Sequence, residues 1–251
     1  LDRAYLNIID ILRDQDEETD ALKWSAKMQE VFRGKLGEAL GTFAEARIHL
    51  AKNDWPAALA ALDRLLTMPE LGGAAVPGGT TRAEVTFLRG YALEQERNFA
   101  AAIDTYLSIP DGRNEYYGGR ATERLRDLAN NVAAKTAVGN KLPSLSIESK
   151  DREFSRQNVQ AALRLTIVQT EKDRLLATLK NIYATLPGYN SPPKFELIDI
   201  AKVTPGALPS VAANLHTSIG ERLAFLGLYG EAAPEFEASR PAPISGDLGY
   251  T

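Results

Sequence analysis

The feature that most constrains this chain is an apolar helical pattern that stops and restarts at residues 227–230. The stretch ERLAFLGLYGEAAPEFEA, residues 221–238, spaces its apolar residues three and four positions apart, as an amphipathic helix does. Gly227 and Gly230 interrupt that pattern at its centre. Because a glycine inside a helix costs about 1 kcal/mol relative to alanine, two glycines so close together indicate a turn. The stretch is therefore predicted to be a helical hairpin.

Four positions describe this hairpin, and the same spacing occurs twice more in the chain. A small residue is followed by an aromatic residue 9 positions later, a small residue 12 positions later and a large residue 16 positions later. The three sets are Gly220, Tyr229, Ala232 and Phe236; Gly90, Phe99, Ala102 and Tyr106; and Ala46, Trp55, Ala58 and Leu62. The small residues allow two helices to approach closely, and the aromatic residue is expected to fill the turn between them. The spacing predicts a repeated helical hairpin.

Helical signals cover most of the remaining sequence. Amphipathic patterns lie at 4–12, 21–32 and 157–168. Capping boxes, in which a hydroxyl and an acidic residue three positions later bond reciprocally at a helix start, are expected at Thr81 with Glu84, Thr170 with Asp173, and Ser218 with Glu221. We predict an all-α protein with an N-terminal helical-repeat half at 1–138, a linker at 139–152 and a C-terminal helical-repeat half at 153–251.

Two short segments are expected to connect helices. The stretch LGGAAVPGG, residues 71–79, lacks the Gly-Lys-Ser/Thr of a phosphate loop and is expected to be a flexible connector. The acidic run at residues 13–20 lacks the glycine and the spacing of a calcium site, so it is expected to be a solvated turn between helices.

The hairpin spacing resembles the tetratricopeptide repeat, a family of two-helix units. The sets that begin at Ala46 and Gly90 lie 44 residues apart. This distance is the family's repeat of about 34 residues plus an insertion that the segment 71–79 can hold. The family's usual aromatic residue on the first helix is replaced by His49, Leu93 and Leu223, and Pro234 interrupts the start of the last helix. The resemblance implies that the hairpins stack into a right-handed superhelix, a solenoid with a concave surface.

A narrower resemblance concerns three segments, residues 109–124, 226–238 and 247–251. They resemble the helical region that precedes the catalytic domain in soluble lytic murein transglycosylases. The resemblance implies a periplasmic protein whose helical region supports a lysozyme-like domain. That domain cleaves peptidoglycan strands without hydrolysis and leaves 1,6-anhydromuramoyl ends.

The catalytic glutamate of that family lies in a Glu-Ser-x-aromatic motif, which a Gly-Leu-Met-Gln stretch follows. The only Glu-Ser pair here, at Glu148, is followed by Lys150 and Asp151 and has no such stretch downstream. Glu148 is therefore expected to be a solvated charge in the linker. We expect no catalytic residue in this chain, and we expect the catalytic domain to follow Thr251.

Composition argues against several other kinds of site. The net charge of −4, from 29 basic and 33 acidic residues, gives no broad attraction to nucleic acid. The chain has no cysteine, and its two histidines, His49 and His216, lack further ligands at zinc spacing. No apolar run approaches the roughly 20 residues that a membrane span needs. We therefore expect no metal, no cofactor, no nucleic-acid partner and no membrane span.

One cluster of residues is a candidate ligand contact, namely Arg113, Tyr116, Tyr117 and Arg120. Aromatic faces stack on sugar rings or peptides, and arginine binds carboxylates in a bidentate manner. The alternative is that the two tyrosines pack the start of a helix.

Two hypotheses for function follow from the sequence. In the first, the chain is the non-catalytic scaffold region of a lytic-transglycosylase-like enzyme, and its partner is its own catalytic domain, another protein or peptidoglycan. In the second, it is a free-standing repeat adaptor that binds a protein segment. An enzyme whose whole active site lies within residues 1–251 is the third alternative.

Overall fold

The protein is described by a computed structural model that covers residues 2–112, 115–145, 150–186, 216–217, 219–220, 223 and 229–239. The chain divides into two compact units, residues 1–193 and 194–251. Within the described residues there are eleven α-helices and one short 3-10 helix, and the β pairing is limited to an isolated bridge between Gly72 and Thr80. The predicted all-α class is confirmed.

The first unit contains ten of the α-helices. They are α1 (Asp2–Asp14), α2 (Glu18–Val31), α3 (Leu36–Ala51), α4 (Trp55–Thr67), α5 (Arg82–Gln95), α6 (Phe99–Leu107), α7 (Tyr116–Asn130), α8 (Lys135–Ser144, preceded by the 3-10 helix Val132–Ala134), α9 (Arg152–Leu165) and α10 (Gln169–Thr185). The second unit contains α11 (Tyr229–Ser239), and residues 216, 217, 219, 220 and 223 are helical as well. Helix α11 runs through Pro234, which was expected to interrupt its start.

Three hairpins of the first unit share one turn geometry. A residue with positive φ follows α1, α3 and α5, and these residues are Asp16 (58°), Asn53 (57°) and Arg97 (60°). In the α3–α4 hairpin the N–H of Asn53 donates to the carbonyl of Leu50 (3.1 Å), and the N–H of Asp54 donates to the carbonyl of His49 (2.9 Å). The α1–α2 and α5–α6 hairpins repeat both hydrogen bonds at the same spacing. This paired closure is the Schellman motif, which satisfies the last carbonyls of the first helix.

The α1–α2 hairpin was not predicted from the four-position spacing. At the corresponding positions it carries Ile9, Glu18, Ala21 and Ser25, and all except Glu18 are buried. It lacks both the small first residue and the aromatic residue of the other sets. The shared feature of the hairpins is therefore the backbone turn, and the side-chain pattern accompanies it only in part.

The small first residue and the large last residue meet in two of the three sets. A Cβ atom on Gly90 would lie 2.6 Å from Cε1 of Tyr106, and one on Gly220 would lie 2.9 Å from Cε1 of Phe236. The remaining small and large positions are buried: Ala46, Ala58, Leu62, Ala102 and Ala232. Glycine is needed at Gly90 because the ring of the fully buried Tyr106 occupies the space of a side chain.

The aromatic positions are less enclosed than expected. Trp55 and Phe99 are only partly buried, and each begins the second helix of its hairpin. Trp55 contacts Tyr91 edge to face, with 6.0 Å between ring centroids. Tyr229 begins α11, and its side chain lies outside the described part of the structure.

The helices of the first unit pack in chain order. Each helix from α1 to α7 contacts the next, and α1 also contacts α3, as α5 contacts α7. One core cluster joins α1, α2 and α3, and it includes Leu6, Ile9, Met28 and Leu40. Helices α9 and α10 form another cluster, built from Val159, Ala162, Leu175, Leu179, Ile182 and Tyr183.

The glycine-rich segment 71–79 is folded onto the first cluster, although it was expected to be a flexible connector. The N–H of Thr80 donates to the carbonyl of Leu71 (2.9 Å), which brings the two ends of the segment together. Between them, Val76 packs against the α1–α3 core. The expectation was wrong because glycine content alone does not show whether an apolar residue within a loop finds a core to bury it.

Two other predicted connecting segments also lie within the first unit. The acidic run 13–20 is an interhelix turn, because α1 ends at Asp14 and α2 begins at Glu18. The predicted linker 139–152 begins inside α8, which continues to Ser144, and lies within the first unit. At its other end the side chain of Asp151 accepts the N–H groups of Glu153 and Phe154 at the start of α9. Residues 146–149, including Glu148, lie outside the described residues.

The predicted helix caps have different outcomes. Thr81 caps α5, because its Oγ1 accepts the N–H of Glu84 at 3.1 Å. The capping box at Thr170 is wrong, because α10 already begins at Gln169 and its N-cap residue is Val168. The third box, at Ser218 and Glu221, lies outside the described residues.

Candidate functional site

The predicted contact cluster lies at the start of α7. The rings of Tyr116 and Tyr117 meet edge to face at 5.0 Å, and Tyr117 packs on Phe87 of α5 at 5.7 Å. Arg120 pairs with Glu123 at 2.6 Å, and its side chain is only 11% exposed. Arg113 lies outside the described residues. The described contacts are those of a packed helix start, and a role in ligand contact stays a prediction.

A partly buried ion pair joins α5 to α7 next to this cluster. Glu94, whose side chain is 10% exposed, accepts hydrogen bonds from the guanidinium of Arg124 and from the hydroxyl of Tyr106 (3.0 Å). Burial, and then the charge of Glu94, raise the pKa of Tyr106 well above its ordinary value. Burial has the largest effect on Arg124 and lowers its pKa, but the charge and hydrogen bond of Glu94, together with smaller effects of Tyr106 and Asp127, outweigh burial and raise the net pKa. This ion pair connects α7 to α5.

Tyr91 of α5 lies beside this ion pair and connects it to Trp55 of the α3–α4 hairpin. The guanidinium of Arg124 lies 5.7 Å from the ring centroid of Tyr91, within the range of a cation–π contact. Tyr91 in turn contacts Trp55. Burial and the nearby Glu94 raise the pKa of Tyr91, although Arg124 opposes this effect. Side chains from the four consecutive helices α4 to α7 are thus held in one connected arrangement.

A buried arginine, Arg164 of α9, joins the α9–α10 pair to α6 and α7. Its guanidinium donates to the carbonyls of Tyr106 (3.1 Å), Leu107 (3.2 Å) and Ile109 (2.9 Å), which lie at the C-terminal end of α6. It also donates to the hydroxyl of Thr122 at 2.7 Å. Burial lowers the pKa of Arg164. The carboxylate of Asp111, 3.6 Å from Nε of Arg164, opposes this shift but does not cancel it.

An apolar groove of about 640 Å³ lies beside this junction. Its lining comes from α8, the end of α9, the α9–α10 turn and the start of α10, with Ala129 of α7, and it includes Leu142, Leu145, Leu165, Ile167, Val168 and Leu175. Ile167 is 40% exposed and Val168 is 57% exposed. The paired side chains of Glu171 and Arg174 also line the groove, and the hydrogen bond from Arg174 lowers the pKa of Glu171. An open groove of this kind can hold an apolar segment with polar groups at its edge.

The two histidines each contact one carboxylate. Nδ1 of His49 lies 3.1 Å from Asp54, and Nδ1 of His216 lies 2.7 Å from the buried Glu235. Across the described residues, no group of three histidine, aspartate or glutamate side chains is placed to hold a metal ion. Within that part of the chain, no helix has the length and apolar character to cross a bilayer.

Sequence reasoning missed the two buried charged contacts, those of Glu94 with Arg124 and of Arg164 with α6. Arg164 does leave a signal, because it interrupts the apolar run Ala-Ala-Leu-Arg-Leu at 161–165. A charge on an otherwise apolar helix face indicates a buried partner. The sequence does not say which distant residue that partner is.

No protein-family model, characterised protein or solved structure matches this chain.

Proposed function

We propose that this chain is a non-catalytic helical-repeat scaffold, a right-handed superhelix of the tetratricopeptide-like kind. The observation that supports this most strongly is the Schellman closure shared by three hairpins whose helices pack in chain order. Solenoids are built in this way, because each hairpin buries its apolar face on its neighbours. A chain built of stacked hairpins presents a long surface, and such surfaces bind other macromolecules more often than they catalyse reactions.

We propose further that the scaffold belongs to a lytic-transglycosylase-like peptidoglycan enzyme of the periplasm. The support is the resemblance of residues 109–124, 226–238 and 247–251 to the helical region of those enzymes. On this hypothesis the scaffold positions a catalytic domain against the glycan strand and supplies no proton donor itself. Contacts with the strand or its stem peptide would come from Tyr116, Tyr117 and Arg120.

The test is incubation of the chain with purified murein sacculi, alone and together with a separately expressed lytic transglycosylase catalytic domain. We expect no soluble anhydromuropeptides from the chain alone, and co-purification of the chain with the catalytic domain. Chromatography detects the products, and sedimentation with sacculi reports binding. Soluble products that vanish in Glu148→Gln would refute the non-catalytic assignment. Absence of any association with the catalytic domain or with sacculi would refute the peptidoglycan assignment.

A second candidate function is a free-standing adaptor that binds an apolar protein segment, and the groove beside the α9–α10 turn favours it. The exposed Ile167 and Val168 would contact the partner there. If a partner protein binds this groove, Val168→Asp will weaken the binding. Ile11→Asp is the matched control, because Ile11 is equally exposed (55%) but does not line the groove. An equal effect of both substitutions would exclude the groove as the binding surface.

A further inference from the structure

The starting observation is that the α9–α10 hairpin has a core cluster of its own. Val159 and Ala162 of α9 pack against Leu175, Leu179 and Ile182 of α10. The α1–α3 cluster is built from separate residues at the other end of the helix order. The hairpin therefore buries much of its apolar surface within itself and against α8, which contributes Leu142 and Leu145.

Arg164 supplies the polar part of the joint between this hairpin and the rest of the first unit. Its hydrogen bonds reach residues that are 42 to 58 positions earlier in the chain. Two of its acceptors, the carbonyls of Tyr106 and Leu107, lie in the last turn of α6, where the helical carbonyls lack partners within the helix. A third, the carbonyl of Ile109, lies two residues beyond the helix. The negative end of the helix dipole also favours a cation at that place.

The position of Arg164 makes docking of the hairpin an all-or-none event. The residue is 9% exposed, so its charge is tolerated only while the carbonyls and Thr122 surround it. Because the acceptors come from α6, α7 and the segment between them, a shift of α9 away from these elements removes them together. Partial displacement would leave a buried and incompletely bonded guanidinium, which is costly. If the hairpin separates, complete separation with Arg164 in water is therefore favoured over partial separation.

We propose that Arg164 is a polar latch, which holds the α9–α10 hairpin on α6 and α7 and lets it undock as a unit while α1 to α5 stay folded. The apolar groove is lined by Ala129 of α7 as well as by residues of the hairpin, so undocking from α7 changes its lining. A partner that binds in the groove would shift the hairpin toward whichever state, docked or separated, it binds more tightly. The latch thus gives the scaffold a built-in conformational switch.

Hydrogen exchange measured by mass spectrometry tests this latch in the Arg164→Met variant. Since Arg164→Met removes several hydrogen bonds to a charged group, we expect at least about a tenfold faster exchange of the amides in α9 and α10. Amides in α3, α4 and α5 are expected to exchange as in the parent protein. Arg164→Lys keeps the positive charge but lacks the planar guanidinium that donates to several acceptors at once. We therefore expect an exchange rate between those of the parent protein and Arg164→Met.

The matched control is Arg174→Met on α10, whose partner Glu171 lies three positions earlier on the exposed face of the same helix. It is expected to leave exchange in α9 unchanged. Three outcomes would overturn the latch: unchanged exchange in Arg164→Met, an equal acceleration in α3 to α5 and in α9 to α10, or loss of helical circular dichroism across the chain. The last two would mean that Arg164 supports the whole fold rather than a separable hairpin.

Discussion

Replacing Gly90 with alanine tests the close helix approach on which the repeated hairpin depends. The new Cβ would lie 2.6 Å from Cε1 and 2.8 Å from Cδ1 of Tyr106, which is closer than such atoms approach in proteins. The ring cannot move easily, because Tyr106 is fully buried and its hydroxyl is bonded to Glu94. The substitution should therefore force the two helices of the hairpin apart.

The expected magnitude combines two opposing effects. Overpacking of a well-packed core costs about 1–3 kcal/mol, and the fixed ring places Gly90 at the upper end of that range. Alanine recovers about 1 kcal/mol of helix propensity relative to glycine. The net expectation is a loss of about 2 kcal/mol, which for a chain of this length lowers Tm by roughly 4–8 °C.

The assay is urea unfolding monitored by circular dichroism, with Gly139→Ala as the matched control. Gly139 is exposed inside α8, and a Cβ there would meet no atom within 4 Å. Gly139→Ala should therefore stabilise the protein by about 0.5–1 kcal/mol. In a Tyr106→Leu background the penalty of Gly90→Ala should largely disappear, because the contacting ring is gone. If Gly90→Ala is as stable as the parent, or if its penalty persists without Tyr106, the packing argument is wrong.

Two further predictions concern single side chains. Phe99→Ala should destabilise the protein by less than Tyr106→Ala, for which about 3–5 kcal/mol is expected, because Phe99 is only partly buried; equal losses in urea unfolding would contradict this difference. The hydrogen bonds from Arg156 lower the pKa of Glu153 to about 2, so an NMR titration should find its carboxyl ionised down to about that pH, and Arg156→Met should return the midpoint toward 4.5. Because the folded-state pKa is the lower one, any stabilisation from this pair is present above about pH 4.5 and is lost as pH falls through about 2; a midpoint near 4.5 in the parent protein would show that the pair does not form in solution.

The hairpins with strong side-chain patterns could be predicted from the sequence because their contacts are local. Gly90 and Tyr106 lie on consecutive helices joined by a short turn, so a fixed spacing brings them together. The Thr81 cap was found for the same reason, since it involves residues three positions apart. The α1–α2 hairpin has the same backbone turn but an isoleucine, Ile9, at the small position, and a side-chain template cannot detect it.

The contacts that were missed connect residues far apart in the chain. The packing of Val76 against the α1–α3 core and the bonds of Arg164 to α6 depend on how distant helices are placed. Helical periodicity identifies an apolar face but not the element that covers it. The contact cluster at Tyr116 and Tyr117 was located correctly as a helix start, and its surroundings became visible only from the position of Phe87 on α5.

The chain-order packing of the first unit also bears on how fast and in what order the protein folds. Contacts between consecutive helices close short loops, and short loops lose little entropy on closing, so hairpins of this kind form early and without waiting for the rest of the chain. The bonds of Arg164 span 42 to 58 residues and need the end of α6 and the start of α7 in place beforehand. We therefore expect them to form after the folding transition state, and a φ-value near zero for Arg164→Met would show this order. During synthesis, the N-terminal hairpins would then be complete before the arginine that fastens the last pair of helices of the first unit has left the ribosome.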